Sequence, residues 1–163
     1  MQVELVDKMG TDLSVVNAAR VSYAGHKDAM DSKDEKLISF LAKHNHWSPF
    51  SHASLQFRIS APIFVARQLV KHQVGLSWNE VSRRYVSYKP DLYAIKEWRG
   101  KPNDSKQGSA GTVELSADDE MMYASTMIAC EELYQRLLDL GIAPEQARAV
   151  LPQSMMTEWY WSG

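Results

Sequence analysis

Between Ser54 and Ile59 the chain alternates without a break: Leu55, Phe57 and Ile59 fall on one side, Ser54, Gln56 and Arg58 on the other. Successive side chains of an extended strand point to opposite faces, so this spacing predicts a strand with one buried face. The period then changes. Ala61-Pro62 opens a stretch in which Ile63, Phe64, Ala66, Leu69 and Val70 recur at helical spacing, which predicts a helix over 62–73. Pro62 stands where a first-turn amide has no partner to lose, and Arg67, Gln68 and Lys71 share the remaining surface. Gln2–Asp7 alternates too, and residues 2–6 predict a second strand with one buried side. Both periods within one chain point to an α+β fold, a twisted antiparallel or mixed sheet packed with helices.

The longest helical signal runs from Ser116 to Leu140. Ser116 and Asp119 have capping-box spacing, and Gly141 supplies the stop. Met121, Met122, Met127, Ile128, Leu133 and Leu137 cover more than a narrow stripe. The helix is therefore expected to touch two neighbours, the second in another subunit or in the chain's own core. Shorter helices are expected after Asp12 or Ser14, after Asp34 (carrying Leu37, Ile38, Leu41 and Ala42) and near Pro144. His26–Asp34 reads as a surface loop. Gly75–Tyr88 has no clean period, and Tyr93–Gly111 is polar and broken by glycine and proline, with residues 101–107 expected to be mobile. The last segment, Thr157–Gly163, is rich in aromatics and has no polar exit. It reads either as a C-terminal strand in a sheet or as a chain that ends before its domain does.

A length of 163 residues suits one domain, 1–163. The single cysteine, Cys130, excludes an intrachain disulfide framework and zinc sites of four cysteines or two cysteines with two histidines. No apolar run of about 18 residues occurs, so no membrane partner is expected and the expected home is a cytosol. The net charge of −2 gives no support to a large duplex nucleic-acid partner. It hides a local bias: Arg67, Lys71, His72, Arg83, Arg84 and Lys89 occur with one acid, Glu80. That patch is either a solvated face or a place for an anion.

Three histidines, His44, His46 and His52, lack a zinc-signature spacing and read as loop residues with hydrogen-bond duties. No Gly-x-Gly-x-x-Gly or Walker loop is present. Lys106-Gln107-Gly108-Ser109 is a weak phosphate cradle at best, and Ser77 and Ser82 have no His–Asp pair in chain spacing. The run Ser77-x-Asn79-Glu80-x-Ser82-Arg83-Arg84-Tyr85 is denser in chemistry. Arginine offers a planar fork to phosphate, Ser82 a hydroxyl, and Asn79 and Glu80 suit the imide or amide edge of a polar ring. A ligand with a phosphate and a polar ring suits that donor set. An RNA-binding surface built from the same basic and aromatic residues is a rival reading.

The same residues resemble the flavin-dependent thymidylate synthases of the ThyX type. That family's signature is Arg-His-Arg, seven residues, then Ser-x-Arg. Here it reads Lys71-His72-Gln73, eight residues, then Ser82-Arg83-Arg84-Tyr85. Lys71 and Gln73 thus replace two arginines, and the gap is one residue longer. Further similarity lies in Asn17–Ser22, in His44-x-His46-x-Ser48-Pro49-Phe50-x-His52, in Ala61–Gln68 and in Ala147-Arg148-x-Val150-Leu151-Pro152. Ser51 stands where the family usually has an acid.

The resemblance implies methylation of dUMP to dTMP. Methylenetetrahydrofolate would donate the carbon, FADH2 the hydride, and NADPH would restore the flavin. It implies catalytic roles for Arg84, Ser82 and Glu80, and a dUMP-binding set of Gln68, Glu80, Ser82, Arg83, Arg84 and Arg148. It implies a FAD-binding set of Ser22, Ser48, Lys71, His72 and Gln73, no metal, and a homotetramer with sites shared between subunits. Members usually continue past the position of Gly163 with an Asn-x-Arg flavin contact and a further arginine. The expectation from this is a C-terminally incomplete domain, a poor enzyme by itself, with an uncovered Trp159-Tyr160-Trp161 edge. A separately encoded C-terminal piece would complete it. The alternative is a non-catalytic nucleotide- or flavin-binding subunit of a split synthase.

Overall fold

The computed structural model describes residues 1–104 and 108–163. Eleven regular elements follow in chain order: β1 Gln2–Met9, α1 Asp12–Arg20, α2 Ser32–Lys43, β2 Ser54–Pro62, α3 Ile63–Leu69, β3 Ser77–Glu80, β4 Trp98–Gly100, β5 Ala110–Val113, α4 Ala117–Asp139, α5 Pro144–Ala147 and β6 Met156–Ser162. Short 3-10 turns cover Val21–Tyr23, Ser48–His52 and Arg148–Val150. Four strands form one sheet in the order β1-β2-β6-β3, and β4 pairs with β5 in a separate hairpin. The α+β expectation is met, long helix included.

The chain divides into two compact units. One holds Met1, Ser60–Lys71 and Glu80–Glu158; the other holds Gln2–Ile59, His72–Asn79 and Trp159–Gly163.

In the second of these, β2 and β6 are antiparallel: Leu55 and Gly163 exchange both backbone bonds, at 2.8 and 3.1 Å. Trp159 is 1 % exposed. Its ring stacks on Trp78, with centroids 4.5 Å apart, and Trp161 meets Trp78 edge-on at 6.2 Å. The expected uncovered Trp159-Tyr160-Trp161 edge is therefore corrected. β6 is an inner strand, and alternation sends Trp159 into the core while Tyr160 faces outward. β1 departs the other way. As the terminal strand of the sheet it is exposed at every residue, Val3 and Leu5 included, so neither side is buried.

Two helix starts also differ from the sequence expectation. Thr11 precedes α1, and its amide donates to the Ser14 hydroxyl at 3.0 Å. Asp31, not Asp34, caps α2, accepting from the amides of Lys33 and Asp34. Asp34 instead turns inward at the N3 position, and its carboxylate accepts from the Asp31 amide at 3.0 Å.

In the first unit, strand β2 runs directly into α3. Ile63 and Phe64 donate backbone bonds to Met155 and Gln153. The helix stops at Leu69 instead of reaching residue 73. Lys71, His72 and Gln73 are polar and exposed, so a further turn would bury nothing. Gly75, at φ +72°, carries the chain round where a side chain would be strained. The hairpin β4–β5 begins inside the stretch read as irregular and runs two residues past its end, to Val113. A bulge lies between Arg99 and Gly100, and a Cβ at Gly100 would sit 2.6 Å from the Ala110 carbonyl oxygen, so only glycine fits. Trp98 packs edge-on against Tyr123 of α4 at 5.1 Å.

Helix α4 starts as expected, with the Ser116 hydroxyl accepting from the Asp119 amide at 3.1 Å, and ends at Gly141, φ +81°. Only Tyr134 on it is buried. Met121, Met122, Ile128 and Leu133 are exposed.

Candidate nucleotide site

The residues expected to hold a nucleotide all lie in the first unit: Gln68, Glu80, Ser82, Arg83, Arg84 and Arg148. Their positions follow from three local causes. Gln68 lies on the exposed face of α3, whose opposite face buries Ala66. Glu80 ends β3, and the next amide, Val81, is tied to the Glu158 carbonyl of β6 at 2.9 Å. The chain then turns at Ser82. Its hydroxyl accepts from the Arg84 amide at 3.2 Å, and its carbonyl accepts from Tyr85 and Val86. A serine that bonds its own backbone two residues on is a turn former for that reason.

The two adjacent arginines have different fates. Arg83 is 6 % exposed. Its guanidinium lies 4.5 Å from the centre of the Tyr88 ring and donates to the Tyr88 carbonyl at 2.5 Å. That donor and the ring contact serve the turn's own structure. Arg84 is exposed; its guanidinium lies 5.5 Å from the Tyr85 ring centre, and its Nε is 3.5 Å from Glu145 Oε2. Arg148, at the end of α5, donates from Nε to the Glu145 carbonyl at 3.2 Å. The structure thus gathers Arg84 and Arg148, 64 positions apart in sequence, around one residue. Charge-assisted bonds from two guanidinium groups suit a phosphate monoester.

Three contributors here were not singled out from sequence: Glu145, Tyr88 as the seat of Arg83, and Thr157. The Thr157 hydroxyl is buried on β6 and donates to Glu80 Oε1 at 2.7 Å. A threonine in an aromatic strand carries no pattern that announces this. Two cavities of the unit, about 750 Å3 beside Arg99–Asp104 and about 370 Å3 against Phe64, Tyr93 and Trp98, are lined by none of the expected residues.

Of the residues expected to hold FAD, Lys71 lies in the first unit, while Ser22, Ser48, His72 and Gln73 lie in the second. All five are exposed. Their hydroxyl, ammonium, imidazole and amide groups are the donor types that an anionic diphosphate or a flavin ring edge requires, so the residues present fit such a group.

Ser22 sits in a 3-10 turn that is well anchored. Asn17 exchanges two bonds with the Lys27 backbone, both 2.9 Å. Asp34, 0 % exposed, takes Arg20 on one oxygen at 2.5 Å and Lys27 Nζ on the other at 2.6 Å. The Lys27 bond, followed by that of Arg20, holds the Asp34 carboxyl well below the usual carboxylate range. Bonds to Asp31 and Asp34 hold the Lys27 ammonium above its ordinary value.

His44 stacks on Phe40 at 4.1 Å and reaches the Phe40 carbonyl through Nδ1 at 2.8 Å. Among the described residues, no group of three or more His, Cys, Asp or Glu side chains is arranged to hold a metal ion. Of the weak phosphate cradle read at Lys106-Gln107-Gly108-Ser109, Lys106 and Gln107 lie outside the described residues. Among the described residues no helix is long and apolar enough to cross a membrane.

Residues 4–163 match the family model described as Thymidylate synthase complementing protein, Thy1. A flavin-dependent thymidylate synthase of Kosmotoga olearia is 41% identical over 162 residues, 98% of this chain and 70% of that protein. One of Thermus thermophilus is 40% identical over 161 residues, 98% of this chain and 58% of that protein. The crystal structure of a UMP/dUMP methylase, PolB from Streptomyces cacaoi, bound with 5-Br dUMP is similar with a TM-score of 0.82. It is 38% identical, with 99% of this chain and 72% of that one covered.

Proposed function

The chain belongs to the thymidylate synthase complementing protein family, and from that premise we propose that it methylates the uracil ring of dUMP in a flavin-dependent reaction. The observation that carries the reading is the gathering of Arg84 and Arg148 at Glu145, beside the turn that holds Glu80 and Ser82. The names of the relatives, flavin-dependent thymidylate synthase and UMP/dUMP methylase, support it from outside.

In this reading Arg84 and Arg148 bind the 5′-phosphate. Gln68, Ser82 and Glu80 orient the sugar and uracil, and Arg83 holds the turn through Tyr88. Ser22, Ser48, Lys71, His72 and Gln73 hold the FAD. When bound, the reduced flavin supplies the hydride that turns a transferred methylene into a methyl group. Methylenetetrahydrofolate supplies the methylene and NADPH the reducing equivalents. The residues of this chain contribute by placing the uracil and excluding misaligned poses, a positional effect. The exposed apolar residues Met121, Met122, Ile128 and Leu133 on α4 support self-association, as a homotetramer.

The test is direct. The purified chain is expected to show flavin absorbance and to bind dUMP, and dTMP formation from dUMP, methylenetetrahydrofolate and NADPH is the readout of catalysis. Binding of dUMP and flavin without turnover favours the non-catalytic subunit. A colourless protein with no dUMP affinity overturns the proposal.

A further inference from the structure

We infer that Glu145 is a resident counter-anion of the nucleotide site, a positioning residue that acts through Arg84 and selects ligands by phosphate charge. The inference rests on the dUMP reading above. Arg84 Nε is 3.5 Å from Glu145 Oε2, and Arg148 donates to the backbone carbonyl of the same residue. Two guanidinium groups therefore meet at one residue, Arg84 at its carboxylate and Arg148 at its backbone carbonyl, and the two cations with one carboxylate leave the cluster with a net charge of about +1. An anion that takes Arg84 through its Nε side must displace that carboxylate or share the fork with it.

The exchange favours one class of ligand. A monoanion replaces one negative charge with another and leaves Glu145 beside it unneutralised, so it gains little. A phosphate monoester carries close to two charges at neutral pH. It can engage both arginines and more than replaces what Glu145 gave up. The exchange needs no opening of the core, since the side chains of Arg84 and Glu145 are 54% and 56% exposed. That exposure also bounds the effect: an exposed pair of this kind corresponds to at most about a fivefold change in affinity.

Titration calorimetry on the flavin-loaded full chain tests this, with dUMP and with its monoanionic phosphate methyl ester as ligands. Glu145→Gln is expected to bind both more tightly, by about two- to fivefold, with the larger gain for the ester, so that discrimination between them narrows. The gain is expected to vanish in an Arg84→Ala background. Glu132→Gln, on an exposed position of α4, makes the same change in net charge and is expected to alter neither affinity. Wild-type binding of dUMP with no gain in Glu145→Gln, or an equal gain in Glu132→Gln, would overturn this inference alone. No dUMP binding by the wild-type chain would overturn the nucleotide reading and this inference with it.

Discussion

The Thr157 hydroxyl donates to Glu80 Oε1 at 2.7 Å, across 77 positions of sequence. The same strand ties the next amide, Val81, to the Glu158 carbonyl. One residue pair of β6 therefore sets both the backbone and the carboxylate where β3 gives way to the Ser82 turn. Removing the hydroxyl should loosen Glu80 without disturbing the arginines. Thr157→Val is expected to weaken dUMP binding severalfold and to cost about 1 kcal/mol of stability. Thr157→Ser should restore binding. Equal dUMP affinity in Thr157→Val and wild type, by calorimetry, would show that the bond does not position Glu80 for the ligand.

Neighbouring arginines should separate by phenotype. Arg84→Ala is expected to lower dUMP affinity by about ten- to a hundredfold, the worth of a charge-assisted bond to phosphate, with little change in melting temperature. Arg83→Ala removes the buried stack on Tyr88 and the bond to its carbonyl. It should destabilise the fold by about 1–3 kcal/mol. Thermal melts and dUMP titrations on both variants check the split, and the reverse pattern would refute it.

Tyr134 is fully buried on α4, and its hydroxyl has no hydrogen-bond partner among the described residues. An unsatisfied buried hydroxyl costs about 1–3 kcal/mol. Tyr134→Phe keeps the ring and deletes that cost, so the melting temperature should rise. A fall would mean that the hydroxyl is paired in solution.

Asp34 gives a prediction in pH. Its carboxyl is held below the ordinary value of 3.8, chiefly by Lys27. A depressed folded-state value means stability that is present above the unfolded value and lost as pH falls through the folded one. Asp34→Asn should therefore lower the melting temperature by several degrees near neutral pH. The difference from wild type should shrink once pH drops below about 4. The raised Lys27 works at the other end, its contribution present below 10.5 and lost as pH rises through its folded value. A wild-type to Asp34→Asn gap that stays constant into strong acid would contradict the assignment.

The exposed face of α4 predicts association. Ile128→Glu places a charge among Met121, Met122 and Leu133, all exposed. It should shift sedimentation from an oligomer toward a monomer. A wild-type chain already monomeric at micromolar concentration would refute the proposed role of this helix.

What could be read before any coordinates were those features whose cause is local. The strand at 54–59 follows from alternation within six residues, and the cap at Ser116 from a spacing of three. The glycine stop at Gly141 needs only its own φ of +81°. Tertiary structure alone decided the rest. Whether Trp159 is an exposed edge or a core ring depends on β3 lying beside β6, and β3 itself, four residues long, carries no readable period. Val3 and Leu5 share the alternation of Phe57 and Ile59, yet only the place of each strand in the sheet determines which finds cover. Arg83 and Arg84 are identical as letters, and Tyr88 takes one while Glu145 takes the other. The physical reason is the same each time: periodicity sets which way a side chain points, but burial and ion pairing depend on what a distant segment brings to meet it.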